Sequence, residues 1–129
     1  TFTGKVDVLD YYRHMDILVL CSIKEAMPLV VMEAMAAGIP VVATDVGACK
    51  ELLHGVDDEF GSAGILARVM DPETVANGII TILKNPTLAN RLAENGIKRI
   101  EHFYREEQIT QAYRELYKEL IDGKGYRAV

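Results

Sequence analysis

The 129-residue sequence lacks the features that place a protein in or across a membrane. No stretch approaches the ~18 consecutive apolar residues that a membrane-spanning helix needs. The first residues, TFTGKVDVL, have neither the charged region nor the apolar region of a signal peptide. We therefore expect a soluble, cytoplasmic protein that meets membranes only through other proteins.

Basic residues are also few and scattered. The sequence has 14 Lys and Arg against 19 Asp and Glu, which gives a formal net charge of -5. Nucleic-acid-binding proteins usually carry a clustered basic surface, so we expect no nucleic-acid partner. The two cysteines, Cys21 and Cys49, have no His or Cys at metal-ligand spacing. They are interpreted as small buried side chains of a protein in a reducing compartment, and no metal site is predicted.

Familiar catalytic motifs are missing as well. The sequence contains no G-x-S-x-G, P-loop, G-x-G-x-x-G or H-E-x-x-H motif. Hydrolase, nucleotidase, dinucleotide-binding and zinc-protease functions therefore have no motif support. The three histidines, His14, His54 and His102, lie at helix ends or in a charged helix and are interpreted as structural or solvated.

What the sequence does contain is an alternation of helix and strand patterns. Apolar residues at helical spacing over 6–15 precede the aliphatic run DILVLCS (16–22), which predicts a strand covered on both faces. A helix bounded by Pro28 and Gly38 follows, and then IPVVATD (39–45) predicts a second buried strand. The same alternation continues with a short helix, ACKELLHG, and a third strand, GILARV.

The last half of the chain is predicted to be mostly helical. DPETVANGIITILKN starts with Asp71 as the helix cap and Pro72 at the first position, and Asn85-Pro86 starts another helix. Two amphipathic helices are expected to pack on the sheet or on each other. The order predicts an α/β fold, a partial Rossmann-like domain with about three parallel strands flanked by helices and a helical C-terminus. Residues 1–129 form a single partial domain in this interpretation, since TFTG resembles the end of a strand with nothing before it.

Candidate chemistry lies in the turns that follow the strands. Ligands of open parallel sheets bind beyond the carboxyl ends of the strands, which are followed here by SIKEAMP and TDVGA. SIKEAMP leads into a helix whose first amides, at Leu29, Val30 and Val31, are expected to be free. Free amides at a helix N-terminus carry partial positive charge and favour a phosphate group.

Two glutamates mark this region. Glu33 stands among aliphatic residues, and burying it would cost several kcal/mol without donors, which a ligand diol would supply. Alternatively, Glu33 lies on one exposed line of the helix or pairs with Lys24 or Lys50. Glu25, in the loop, either reaches a sugar hydroxyl or is a solvated or capping acid.

Glu25 and Glu33, with seven residues between them and AMAAGIPVVATDVGACKELL after them, resemble the donor-site signature of retaining glycosyltransferases of family 4. These enzymes have the GT-B fold, and the resemblance covers nearly the whole chain. Within the family, SIKEAMPLVVMEAMAAGIPVVATDVGACKEL and FGSAGILARVMDPE resemble the branch that synthesises the Pel exopolysaccharide. That resemblance implies UDP-glucose as the donor, a glycan acceptor and no obligatory metal.

The resemblance also implies roles for individual residues. Glu25 matches the catalytic-site glutamate that approaches the hydroxyls of the donor sugar, and Glu33 matches the glutamate that accepts from the ribose hydroxyls. The remaining matched positions bind the sugar and diphosphate or lie against the base: Met27, Pro28, Leu29, Val30, Gly4 and Val6.

Some family features are altered or missing. Ala26-Met27-Pro28 stands where many relatives have Gly-Phe-Gly, and Pro28 has no amide hydrogen to donate, so Leu29 and Val30 must serve. The Arg and Lys that clamp the diphosphate lie upstream in the family, and the acceptor site lies in a separate N-terminal domain. We therefore expect that missing N-terminal domain to be a partner of this chain, and the chain alone to be inactive.

Two other functions stay open at this point. One is a nucleotide-sugar epimerase-type GT-B domain, and the other is a non-catalytic α/β interaction module, which an exposed Glu33 would favour. The family's strand order, 3-2-1-4-5-6, makes DILVLCS strand four and therefore an apolar edge. We expect that edge to be covered by TFTG or by a second copy in a homodimer, or else to cause misfolding.

Overall fold

The computed structural model describes residues 2, 4–56 and 59–122. Helices and strands alternate as the sequence predicts. In chain order the elements are α1 (Leu9–Tyr12), β1 (Leu18–Leu20), α2 (Leu29–Ala36), β2 (Val41–Thr44), α3 (Cys49–His54), β3 (Gly64–Ala67), α4 (Pro72–Leu83), α5 (Pro86–Phe103) and α6 (Glu106–Ile121).

The three strands form one parallel sheet in the order β1-β2-β3. Leu18 lies opposite Val41, and Val41 lies opposite Gly64. The predicted α/β class with three parallel strands is confirmed, and β1 lies at an edge of the sheet as the family's strand order predicts. Because the strands are parallel, their carboxyl ends meet at one side of the sheet.

The core has two parts because side chains alternate along each strand. Val41 and Ala43 point to the face that α2 and α3 cover, whereas Val42 points to the opposite face, against Ile82 of α4 and Leu92 of α5. All four residues of β2 are buried. The prediction of a buried strand at 39–45 is therefore confirmed.

The edge strand is less covered than predicted. Leu18 and Leu20 pack with α2, but Val19, on the other face, is 38% exposed. The prediction that 16–22 is covered on both faces is wrong, because α4 lies over β2 and β3 rather than over β1. Cys21, just beyond the strand, is exposed instead of buried, whereas Cys49 is buried as predicted.

Helix ends follow the predicted cap at Asp71 and the predicted helix boundaries. The Asp71 carboxylate accepts a hydrogen bond from the Thr74 amide at 3.1 Å, which caps α4. Asn85 caps α5 in the same way by accepting from the Leu88 amide at 3.0 Å. Gly38 and Gly55 have φ of 72° and 76°, a conformation that favours glycine after a helix.

The first helix is shorter than its pattern indicates. It covers one turn, and the Asp7 carboxylate accepts from the Leu9 amide at 3.1 Å at its start. Leu9 and Val6 are exposed, and Tyr12, at 7% exposure, is the buried residue of the helix. The predicted apolar face is therefore wrong for Leu9 and Val6, because a single turn presents few residues to the core.

The two terminal helices differ from each other. α5 packs against α2, α4 and β3, whereas no residue of α6 is buried. The prediction that both pack on the sheet or on each other is therefore wrong for α6. At the other end, Phe2 and Gly4 are exposed, and Thr1 and Thr3 of TFTG lie outside the described residues. Within the ranges given above, no helix has the length and apolar character needed to cross a bilayer.

Candidate functional site

The loops after β1 and β2 lie at the carboxyl side of the sheet and hold each other in place. The Thr44 hydroxyl, at the end of β2, donates to the Ser22 carbonyl at 2.5 Å. The Ala48 amide donates to the Ala26 carbonyl at 2.8 Å. These two bonds join the loop that carries Glu25 to the segment that leads into α3.

Gly47 makes that close approach possible. Its φ is +51°, and a β-carbon at this position would lie 2.4 Å from the Ala26 oxygen and 2.5 Å from the Glu25 oxygen. Any side chain here would push the two loops apart. The sequence identifies Gly47 as a turn residue, but its contact with a loop some twenty residues earlier has no local signal.

The N-terminus of α2 presents two free amides. Pro28 precedes the helix in an extended conformation, with φ -76° and ψ 107°, and its carbonyl accepts from the Val31 amide at 3.1 Å. The prediction of a free Val31 amide is therefore wrong. The amides of Leu29 and Val30 make no hydrogen bond with any residue the structure describes, and they are available to an anion.

The side chains around these amides are mostly apolar. Met27 and Leu29 are exposed, Pro28 is buried, and Val30 is half-buried against the core. Pro28 before the two amides and Val31 after them are both buried, so packed residues flank the backbone at Leu29 and Val30. A rigid pair of donors loses little conformational entropy when a ligand binds.

Glu33 lies on the surface of α2, not in its interior. The interpretation of a buried carboxylate is wrong, and the alternative of an exposed line on the helix describes its position. Neither Lys24 nor Lys50 forms an ion pair with it in the described part of the chain. Its partner is Tyr12, whose hydroxyl donates to Glu33 Oε2 at 2.6 Å.

Glu25 is half-buried in the loop after β1. It does not cap α2, since no side chain accepts a hydrogen bond at that helix start. The pKa of the Cys49 thiol is raised, and burial is the main cause. The negative charges of Glu25 and Asp45 raise it further. Because burial and both carboxylates favour the neutral form, Cys49 is a buried neutral thiol rather than a nucleophile.

The remaining candidates lie apart from this loop in the chain. Gly4 and Val6 are exposed ahead of α1, and Gly4 has φ 72°. His14 is exposed and accepts from the Arg13 guanidinium at 3.1 Å. Across the residues that the structure describes, no group of His, Cys, Asp and Glu is arranged to hold a metal ion.

The site thus contains residues that the sequence analysis missed. Tyr12, Thr44 and Ala48 position the glutamates and the loop through contacts that cross from one element to another. Tyr12 stands 21 residues before Glu33, so no periodic pattern links the two. The alternation of strands and helices, which brings such residues to one side of the sheet, is the only signal that could have suggested the contact.

Comparison with known proteins gives a consistent result. Residues 1–85 match the family model described as glycosyl transferases group 1. The chain is 32% identical over 121 residues to N-acetyl-alpha-D-glucosaminyl L-malate synthase of Bacillus anthracis, an alignment that covers 93% of this chain and 30% of that protein.

Solved structures resemble the chain over most of its length. Sucrose-phosphate synthase from Thermosynechococcus elongatus superposes with a TM-score of 0.84 at 32% identity, over 95% of this chain and 30% of that one. Anabaena HepE, solved in complex with UDP-glucose, superposes with a TM-score of 0.78 at 26% identity, over 89% of this chain and 30% of that one. The chain thus spans less than a third of the length of each of these proteins.

Proposed function

This chain belongs to the glycosyl transferases of group 1, and from that premise we propose that it is the donor-binding part of a retaining glycosyltransferase. The enzyme transfers a hexose, glucose from UDP-glucose, to a growing polysaccharide or glycoconjugate. A longer protein supplies the acceptor site and the cations that clamp the diphosphate. The chain alone is inactive in this proposal.

One observation carries the proposal. The free amides of Leu29 and Val30 lie at the N-terminus of α2, between Glu25 before them and Glu33 after them. A sugar nucleotide has the matching order of groups, since its diphosphate lies between the hexose and the ribose. The helix N-terminus favours the negative diphosphate, and the two carboxylates are acceptors for sugar hydroxyls.

Each end of the donor then has a residue to contact. Glu25, held by the interlocked loops, approaches the hydroxyls of the transferred sugar. Glu33 accepts from the ribose diol, and Gly4 and Val6 lie against the base. Met27 and Pro28 shape the loop around the sugar and diphosphate.

The chemistry follows from the charge that develops during transfer. The bond between the anomeric carbon and the diphosphate oxygen breaks, the acceptor hydroxyl oxygen bonds to the same face of the sugar, and the hydroxyl proton passes to the departing diphosphate. Negative charge grows on the departing UDP, where preorganised donors stabilise the transition state most. Leu29 and Val30 supply two such donors, and the reaction needs no obligatory metal.

The identity of the donor rests on resemblance. HepE, which shares the fold, was solved with UDP-glucose. The resemblance of the sequence to the Pel exopolysaccharide branch of the family implies the same donor. The relative from Bacillus anthracis is named for an N-acetylglucosaminyl product instead. A donor panel of UDP-glucose, UDP-N-acetylglucosamine and GDP-mannose therefore tests this part of the proposal.

The decisive experiment uses the full-length protein and three variants. We expect Glu33→Ala to weaken UDP-glucose binding about tenfold or more, since hydrogen bonds to a charged group contribute about 1.5–3 kcal/mol. Glu25→Gln should lower turnover more than binding, and Glu73→Gln, an exposed glutamate of α4, is the matched control. Calorimetry gives the affinities, and release of UDP with and without EDTA gives turnover.

Two results would contradict the proposal. One is a Glu33→Ala protein with unchanged donor affinity and turnover. The other is conversion of the donor to an epimer without transfer, which would assign the chain to the epimerase class. Loss of UDP release in EDTA would contradict only one part of the proposal, namely that the reaction needs no obligatory metal.

A further inference from the structure

We propose that Tyr12 is a positioning residue for the ribose end of the donor site, holding the Glu33 carboxylate in the orientation that receives the ribose diol. This inference rests on the proposed function, because it assigns a residue to the same site. It concerns a contact between α1 and α2 that joins a buried side chain to an exposed one.

The side chains of Tyr12 and Glu33 differ in conformational freedom. Tyr12 is 7% exposed and belongs to the core cluster that also contains Val31 and Met35 of α2. Glu33 is exposed, and no cation lies within ion-pair distance of it in the described ranges. A free glutamate side chain on a helix surface samples several rotamers, and ordering it costs up to about 2 kcal/mol.

The hydrogen bond removes much of that freedom. The Tyr12 hydroxyl donates to Glu33 Oε2 at 2.6 Å, a length typical of a neutral donor and a charged acceptor. Since the ring is held by the core, the oxygen that it contacts is held as well. The cost of ordering Glu33 is therefore met in the folded protein and not at the moment of ligand binding.

The arrangement leaves acceptor capacity for a ligand. A carboxylate has about four lone-pair positions on two oxygens, and Tyr12 occupies one of them. Oε1 makes no hydrogen bond to the residues that the structure describes, so its acceptor positions are available to a ligand. Two vicinal hydroxyls require two acceptor positions of fixed geometry, which a carboxylate held at one oxygen provides.

The donor role of Tyr12 is stable across the working pH range. Burial, followed by the hydrogen bond to Glu33 and its negative charge, raises the pKa of the Tyr12 hydroxyl. The hydroxyl therefore keeps its proton and remains a donor in neutral and mildly alkaline solution. The neighbouring Tyr11 is exposed and makes no such contact, which provides a matched control on the same helix.

The test measures ribose discrimination in the full-length protein, defined as the Kd for 2′,3′-dideoxyuridine diphosphate divided by the Kd for UDP. We expect the wild-type ratio to be about tenfold or more, and Tyr12→Phe to lower it about three- to tenfold. Glu33→Ala should bring the ratio close to one, and Tyr11→Phe should leave it unchanged. If Tyr12 had only a structural role, Tyr12→Phe would alter the thermal stability without altering this ratio.

The outcomes separate the two proposals. If Glu33→Ala removes discrimination while folded Tyr12→Phe retains it in full, the positioning role is overturned and the donor site stands. If Glu33→Ala also retains full discrimination, the ribose contact of the proposed function fails and the role of Tyr12 fails with it. If Tyr12→Phe does not fold, incorporation of 4-fluorophenylalanine at position 12 keeps the ring and fills the hydroxyl position but removes the hydrogen-bond donor. An unchanged ratio in that protein overturns the positioning role, and an altered ratio supports it.

Discussion

Helices α5 and α6 follow each other in the chain, have 18 and 16 residues, and both carry apolar side chains along one face. Their environments are opposite. α5 buries Leu92, Gly96 and Arg99 against α2, α4 and β3, whereas most apolar side chains of α6 are exposed and none is buried. These exposed side chains are Ile109, Tyr113, Tyr117, Leu120 and Ile121.

Two residues of α5 explain this difference in burial, and α6 has no equivalent of either. Gly96 allows close approach to α2, since a β-carbon there would lie 3.3 Å from the Met35 β-carbon. Arg99 is 1% exposed and donates to the carbonyls of Leu52 and Leu53 at 3.1 Å and of Gly61 at 2.6 Å. An apolar face therefore needs a partner surface that fits it and polar groups that satisfy each other.

Removing the guanidinium of Arg99 should weaken the α5 contact most. Arg99→Met keeps much of the side-chain volume but removes the donor to the Leu52 and Gly61 carbonyls, whereas the Leu53 carbonyl keeps its bond from the Ala63 amide at 2.7 Å. We expect a loss of about 3 kcal/mol in the free energy of unfolding, because each buried acceptor left unpaired costs about 1–3 kcal/mol.

Arg91→Met is the matched control, since Arg91 lies on the same helix and is exposed. Its effect should stay within about 0.5 kcal/mol. Urea unfolding of the full-length protein measures both variants. Equal losses would mean that Arg99 contributes no more than a surface arginine.

A larger side chain at the α2 contact should have the next largest effect. Gly96→Val places a branched side chain against Met35 and should cost about 1–3 kcal/mol through overpacking. Ala112→Val introduces the same valine side chain in α6, where it meets no packed neighbour. This substitution should change the unfolding free energy by less than about 0.5 kcal/mol. Similar losses in both would show that α6 is packed in the full-length protein, and the contrast between the helices would disappear.

The helix caps give the smallest difference. Asn85→Ala removes the cap of α5 and should cost about 1 kcal/mol. Arg105, at the N-cap position of α6, makes no side-chain cap, so Arg105→Ala should cost almost nothing. Hydrogen exchange of the first-turn amides reports each helix separately. Faster exchange in α6 after Arg105→Ala would contradict the expected asymmetry.

The same contrast explains what could be predicted from the sequence. The Asp71 cap, the helix boundary at Asn85-Pro86 and the central strand β2 depend on neighbouring residues, and these predictions are confirmed. The exposure of β1 and of α6 depends on which surface lies opposite, and here the predictions are wrong. Arg99 resembles a surface residue of a charged helix because its acceptors lie 38 to 47 residues earlier in the chain.

The candidate site shows the same limit. Its position at the carboxyl side of the sheet and the free amides of Leu29 and Val30 follow from strand order and from the start of a helix at Pro28. The exposure of Glu33 does not follow, because it depends on which face of α2 meets the core. Its hydrogen bond to Tyr12 crosses from one helix to another, and no pattern within either helix predicts it.

The contact between Gly47 and the loop after β1 has a consequence for engineering and for sequence divergence. With the Ala26 oxygen only 2.4 Å from where a β-carbon would stand, neither loop has room to change length or path alone. A graft of residues 22–28 from a relative should therefore bring residues 44–48 with it. The two loops form a single exchangeable cassette, even though α2 and β2 separate them in the chain.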